Sequence, residues 1–399
     1  MNESLGKLID ISKKDSKKII GLMSGTSLDG LDIALCEVTG NGLNTSIALL
    51  KFETISYSND FKDEIRSVFS KQNIELEKLC LLNEWIGSTH AEMINQSLRN
   101  WNISNDEIDL IASHGQTIYH APKSLHQNNK FGNGTLQIGD GDHIAVNTGI
   151  ITISDFRQKH IAAGGEGAPL AAYGDYLLFS SKEKNRILLN IGGISNITFI
   201  PADAAFEKVI CTDVGPGNTL MDAWVSRNYT GMHYDKDALI AKQGKPNYTL
   251  LNTLQTHPFY KIDLPKSTGP ELFNLAYVEE ALIKSNTKDI SNEDILATLN
   301  ILTANTIFDV IENLISGMPN SELYISGGGI HNPLLMEYIR NQFDGILVST
   351  TDALNINPDA KEAILFALLA NELISGNNSF GKGSKTMPAV GMGKICLPC

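Results

Sequence analysis

The sequence predicts an α/β protein built from two like lobes, and three observations carry that expectation. A short apolar run at residues 19–23 passes through Ser24-Gly25-Thr26-Ser27-Leu28-Asp29-Gly30 into an alternating run at residues 32–38. That is a strand, a glycine-rich turn and a second strand. The same succession returns at residues 186–200 around Gly192-Gly193. Elsewhere, short apolar strands end in polar clusters and alternate with segments of helical period, and the ends of such strands are where α/β proteins place ligand contacts.

Composition sets the frame. The chain has 399 residues, 42% apolar and 19% charged, with a formal net charge of −13. Its length fits roughly two to three domains with sizeable cores. No run of Lys and Arg offsets the charge, so nucleic acid and anionic membrane are not expected as partners. No uninterrupted apolar run approaches the ~18 residues of a membrane span. The first sixteen residues are polar and lack the apolar core of a signal peptide, so they are expected to form an extension ahead of the first strand. Five scattered cysteines fit a reducing cytoplasm better than a disulfide framework. The final Cys396-Leu397-Pro398-Cys399 has the spacing of half a metal site or a lipidation box, but no second Cys pair and no upstream basic stretch supports either.

The first hairpin is the centre of the argument. Backbone N–H groups of a tight turn converge on an anion, and glycine keeps side chains out of the way. Ser24, Thr26 and Ser27 add hydroxyls, and Asp29 is placed to hold a hydrated Mg2+ through phosphate oxygens. A solvated hairpin loop is the plain alternative. Beyond it, Phe61, Ile65, Val68 and Phe69 form one helical stripe. Leu76, Leu79, Leu82, Trp85, Ile86, Met93, Ile94 and Leu98 form a second; both are expected to be core faces.

A strand at residues 108–112 then ends in Ser113-His114-Gly115-Gln116-Thr117. His114 is either a hydrogen-bonded structural histidine or a ligand contact. Arg157 precedes the Gly164-Gly165-Glu166-Gly167 loop; it suits a carboxylate or phosphate, or a surface ion pair. Asp213 ends an apolar strand ahead of Gly215-Pro216-Gly217, with Asn218 placed to cap the following helix. Asp213 is either a turn residue or a general base. Gly327, Gly328 and Gly329 break another strand and permit close approach of a flat ligand. Glu362 lies in the first turn of a strong helix, where the dipole favours it without any ligand. There is no Walker sequence and no GxGxxG ahead of a helix, so a nucleotide would be held by hairpins.

Taken together, the segments 21–30, 113–117, 164–170, 189–193, 213–218, Pro265-Lys266-Ser267-Thr268-Gly269 and 326–329 resemble, in the same order, the anhydro-N-acetylmuramic acid kinases. The resemblance runs from about residue 18 to about residue 376. It implies a two-lobed actin-like ATPase fold, each lobe a ribonuclease-H-like mixed sheet flanked by helices, with ATP in the interlobe cleft. It also implies a reaction: ATP, water and 1,6-anhydro-N-acetylmuramic acid give N-acetylmuramic acid 6-phosphate and ADP, in cytoplasmic cell-wall recycling by a Mg2+-using homodimer. Asp213 matches the catalytic base. Gly25, Thr26, Ser27, Leu28, Asp29, Gly30, Leu31 and Asp32, with Gly192, Gly193 and residues 327–329, match ATP-binding segments. His114, Gln116, Arg157, Glu166 and Glu362 are the expected sugar contacts, and Asp29 the expected metal ligand. His160, Glu166 and Pro270 stand where the family has aspartate, glutamine and arginine. The implied organisation is an extension at residues 1–17, an N-terminal lobe at 18–150 against which the 352–376 helix packs, a C-terminal lobe at 151–351 and a tail at 377–399.

Overall fold

The computed structural model describes residues 2–126, 128–343, 345–376, 380–384 and 387–398. The chain divides into two compact units. The first comprises Met1–Leu178, Ala205–Glu207 and Ala360–Cys399; the second comprises Phe179–Ala204 and Lys208–Asp359. Strands β1 (Ser16–Ser24), β2 (Gly30–Thr39), β3 (Ser46–Ser56), β4 (Leu110–Ala121), β5 (Gly134–Ile138) and β6 (Thr152–Ser154) belong to the first unit. The second holds β7 (Asn185–Ile191), β8 (Ile194–Ile200), β9 (Ile210–Pro216), β10 (Ser321–Ser326) and β11 (Leu347–Thr350). Strand β12 (Lys394–Cys396) returns to the first.

In the first unit the sheet order is β12-β6-β4-β1-β2-β3, with β5 beside β4. Strands β1 to β3 form an antiparallel meander, while β4 and β6 run parallel to β1. In the second unit the order is β11-β10-β7-β8-β9, again an antiparallel meander followed by two parallel strands. With β5 and β12 set aside, both sheets follow the ribonuclease-H-like arrangement.

The pattern of each strand explains its place. β1 is central and apolar on both faces, with Ile19, Ile20 and Leu22 fully buried. The helix Leu76–Trp101 turns Leu82, Ile86, Ile94 and Leu98 into this core at spacings of four and eight residues along one face. Leu76 departs from the expected stripe: it is the helix's first residue and is 73% exposed. The helix Lys361–Ser375 also packs on β1. A Cβ on Gly21 would stand 1.9 Å from the Ala363 carbonyl oxygen. Gly21→Ala therefore forces this helix off the sheet and is expected to cost at least about 2 kcal/mol, measured by denaturant unfolding.

The second unit is built around the helix Asn292–Ile315, which buries Leu296, Leu299, Ile307 and Ile311. By length and composition it is apolar enough to cross a bilayer. It is not an uninterrupted apolar run, because Asn300, Thr303 and Thr306 interrupt it. These are themselves buried, and Asn300 bonds back to the Leu296 carbonyl at 2.9 Å, as in a core helix.

Several expected boundaries are corrected. The polar extension 1–17 is not a loose lead-in: Asn2 caps the helix Glu3–Ser12 through the Leu5 N–H, Ile11 is buried, and β1 already begins at Ser16. The first unit does not end at residue 150. β6 pairs with β4, and the chain leaves the unit only after Leu178. The tail at 377–399 is not peripheral where it is described. Phe380, Met387 and Met392 are buried, β12 pairs with β6, and the Pro388 carbonyl accepts from the Tyr173 hydroxyl at 2.8 Å. Cys396 lies 3.5 Å from the Ser154 hydroxyl; Cys399 lies outside the described residues.

Candidate active site

In the first unit the β1–β2 hairpin closes with Ser24 opposite Leu31. Leu28 sits in the left-handed region at φ 60° with its side chain buried, and its N–H bonds back to the Gly25 carbonyl at 3.4 Å. A bulky residue held in that conformation stores strain at the tip, and the buried side chain anchors it. Thr26, Ser27 and Asp29 are left exposed. The predicted segment thus splits by role. Leu28 and Leu31 are core residues, and Gly30 is required because a Cβ would lie 2.4 Å from the Ile55 carbonyl oxygen. Asp32 accepts from the Thr54 hydroxyl at 2.6 Å.

Gly25 is different. An added Cβ would meet only the Ser27 hydroxyl, at 3.6 Å. The fold therefore accepts alanine there. Gly25→Ala is expected to leave the melting temperature unchanged while raising KM for ATP about 3–10-fold, equivalent to roughly one lost hydrogen bond. The exposed Asp29 carboxylate beside two hydroxyls suits a Mg2+ ion held mainly by phosphate and water. No cluster of three or more acidic, His or Cys side chains exists among the described residues to cage a metal by itself.

The expected sugar contacts meet in part. Arg157, on the helix Phe156–Ala162, donates from Nε and Nη2 to His114 Nε2, both at 3.1 Å, and from Nη1 to the Gly167 carbonyl at 2.7 Å. Since a guanidinium only donates, His114 must be neutral with its proton on Nδ1. Burial, then the charge of Arg157, lowers the His114 pKa to about 3. Burial lowers that of Arg157 to about 10, against the pull of Glu362. Glu362 reaches solvent yet is crowded by protein. Desolvation raises its carboxyl, Lys361 and Arg157 oppose this, and Asp32 and Asp175 add to it.

His160 organises the glycine loop: its Nδ1 accepts from the Gly167 N–H at 3.0 Å, and its ring fills the space a Cβ on Gly165 would need. Glu166 lies half-buried in that loop. Gln116 is fully buried, with its amide engaged inside the protein. A recess of about 410 Å³ in this unit includes His114 but not Arg157, Glu166 or Glu362, so it is not where these residues converge.

In the second unit the β7–β8 turn is fastened to the helix Thr219–Asn228. The Gly193 carbonyl accepts from Gly217 N–H at 2.8 Å and Thr219 N–H at 3.1 Å, and the Gly192 carbonyl accepts from Asn218 N–H at 2.8 Å. Asn218 stands at the cap position, but its side chain makes no cap bond; its Nδ2 points to the Ile191 carbonyl at 3.5 Å. Gly329 packs on Ile191 and Gly327 has φ 84°, so both are structural. Gly193 and Gly328 meet nothing nearer than 3.7 Å and 3.8 Å.

Asp213, on β9, is gripped from a neighbouring loop: its Oδ2 accepts from Thr268 N–H at 2.8 Å. Burial raises its pKa from 3.8 to about 6, with the Thr268 N–H opposing and Glu271 adding to the rise. A carboxylate poised near neutrality and oriented by one fixed donor is equipped to take a proton. Thr268 had only its motif to mark it: the contact is through backbone, which any residue type supplies.

A ribonuclease-H-like sheet in each of two units, with a glycine turn between its first two strands, defines the actin-like ATPase class of fold. A family profile described as anhydro-N-acetylmuramic acid kinase matches residues 17–393, and the chain belongs to that family of phosphotransferases. The anhydro-N-acetylmuramic acid kinase of Pseudoalteromonas atlantica is 53% identical over 400 residues, 100% of each chain. That of Caldanaerobacter subterraneus subsp. tengcongensis is 39% identical, over 98% of this chain and 100% of its own. Among solved structures, Acidaminococcus fermentans (R)-2-hydroxyglutaryl-CoA dehydratase component A has a TM-score of 0.43 at 10% identity. It covers 90% of this chain and 99% of its own.

Proposed function

We propose that the chain is an ATP-dependent kinase that opens the ring of 1,6-anhydro-N-acetylmuramic acid with water and phosphorylates the oxygen so released. The products are N-acetylmuramic acid 6-phosphate and ADP, as cell-wall recycling requires. The observation that carries this is Asp213, a carboxylate raised toward neutrality and held by one backbone donor. An anhydro ring has no free 6-hydroxyl, so an ordinary kinase step cannot begin on it. Asp213 takes a proton from water, the hydroxide attacks the anomeric carbon, and the bond from that carbon to the 6-oxygen breaks. The freed oxygen attacks the γ-phosphorus, ADP leaves, and the proton passes to solvent. A placed base supplies about 10²–10⁴-fold, with positioning and charge neutralisation supplying much of the rest.

In this reading the turn at residues 25–29 holds the ATP phosphates with Mg2+ at Asp29. Gly193 and Gly328 face the rest of the nucleotide, Arg157 and Glu362 meet the sugar, and Glu166 lies beside it. His114 acts by orienting Arg157, and Gln116 by orienting Ser24. Family resemblance extends the reading to a cytoplasmic homodimer. Turnover in ¹⁸O-water followed by mass spectrometry tests it. Label at the sugar's first carbon is expected. Unlabelled phosphosugar, formed only from sugars with a free hydroxyl, would replace this reading with that of a simple amino-sugar kinase.

A further inference from the structure

Four buried side chains form a single directed chain of hydrogen bonds that ends on the turn at residues 25–29. It begins with a bulge. β1 and β4 are paired through Leu22 and Ser113, after which an extra residue at Gly115, φ 72°, puts Gln116 opposite Ser24. Ser24 Oγ lies 2.5 Å from Gln116 Oε1, Tyr57 Oη lies 2.8 Å from Ser24 Oγ, and His90 Nε2 lies 2.9 Å from Tyr57 Oη. No member is more than 4% exposed. All four are therefore shielded from bulk water.

The protons can be placed by elimination. Gln116 Oε1 carries no hydrogen, so Ser24 donates to it. Ser24 has then spent its one proton and accepts from Tyr57. Tyr57 has spent its own and accepts from His90, which therefore carries a hydrogen on Nε2. Burial lowers the His90 pKa to about 4, consistent with a neutral ring. At the far end Gln116 Nε2 donates to the Thr117 carbonyl at 3.3 Å and, more weakly at 3.5 Å, to the Gly25 carbonyl. Tyr57 holds the other end of the turn as well: its backbone N–H donates to the Asp29 carbonyl at 3.2 Å. One residue after β3 thus grips both ends of the turn, one end directly and the other through two side chains.

We propose that Tyr57 and His90 are positioning residues for the turn at residues 25–29, fixing its backbone donors for the nucleotide phosphates. This rests on the reading of that turn as the phosphate site. A chain of bonds pointing one way is mutually strengthened in a dry interior, and loss of one member leaves its neighbours unsatisfied. Small displacements of positioning groups are costly to binding and turnover.

The test is Tyr57→Phe in the full-length enzyme, which keeps the stack on Phe61, 4.1 Å between ring centres, and the backbone bond to Asp29. KM for ATP is expected to rise about 5–20-fold, the size of one or two lost buried hydrogen bonds, with KM for the anhydro sugar within about twofold of the parent. His90→Leu should behave likewise. His90→Gln, which retains an N–H donor, should recover much of the ATP affinity in direct titration with a non-hydrolysable ATP analogue. An unchanged KM for ATP in Tyr57→Phe, or equal rises in both KM values, overturns the proposal. Gly25→Ala separates the two failures. If it raises KM for ATP while Tyr57→Phe does not, only the positioning role falls; if it leaves KM unchanged, the phosphate-site reading falls and the positioning role with it.

Discussion

Asp213→Asn is expected to lower kcat by about 10²–10⁴-fold while leaving KM for ATP nearly unchanged, because asparagine keeps the acceptor for Thr268 N–H but cannot take a proton. The parent enzyme should show an acid limb in kcat/KM centred near pH 6, following the raised carboxyl, and the residual activity of the variant should lack it. Stability carries the opposite sign. The folded pKa of Asp213 lies above its unfolded value, so the folded state binds the extra proton between about pH 4 and 6 and stability falls as pH rises through that window. Above it, the ionised group is a burden that asparagine removes. The variant should therefore be more stable than the parent at pH 7–8, by about 1–3 kcal/mol, and no more stable near pH 4. Thermal melts at the two pH values check this, and equal shifts at both would count against a buried base.

Arg157→Gln is expected to raise KM for the anhydro sugar about 10–100-fold with little change in KM for ATP, the scale of a lost charge-assisted pair. The fork is fixed by His114 on one side and the Gly167 carbonyl on the other. Lysine cannot satisfy both from one ammonium, so Arg157→Lys should recover little. Removing the guanidinium also takes away one of the charges that hold the Glu362 carboxyl down, so that carboxyl should titrate still higher in the variant. Carboxyl-labelled NMR of Glu362 in the two proteins measures the change.

The parts legible in the sequence were those written in local grammar. The two glycine hairpins, Asp213 at a strand end and the acidic start of the helix at residue 361 each follow from a few neighbouring residues. What escaped was set by partners distant in the chain. β6 is only three residues long, and its membership of the first unit is decided by pairing with β4 and with β12 at the other end of the sequence. A glycine- and serine-rich tail gave no sign that Phe380 and Met392 would be buried. The helix at residues 3–12 hides a single fully buried anchor, Ile11, among polar residues. Nothing in the local sequence marks Tyr57 or His90. Only the bulge at Gly115 brings Gln116 opposite Ser24 and closes their chain.

The packing of Lys361–Ser375 against Gly21 has a consequence for biosynthesis. The helix that covers the central strand of the first unit is translated after the whole of the second, whose last residue is Asp359. At about 5–20 residues per second, the ribosome needs on the order of 10–40 s between Leu178 and that helix. During that interval the nascent N-terminal sheet carries an uncovered apolar face, and the second unit, complete at Asp359, has all its segments before that helix is made.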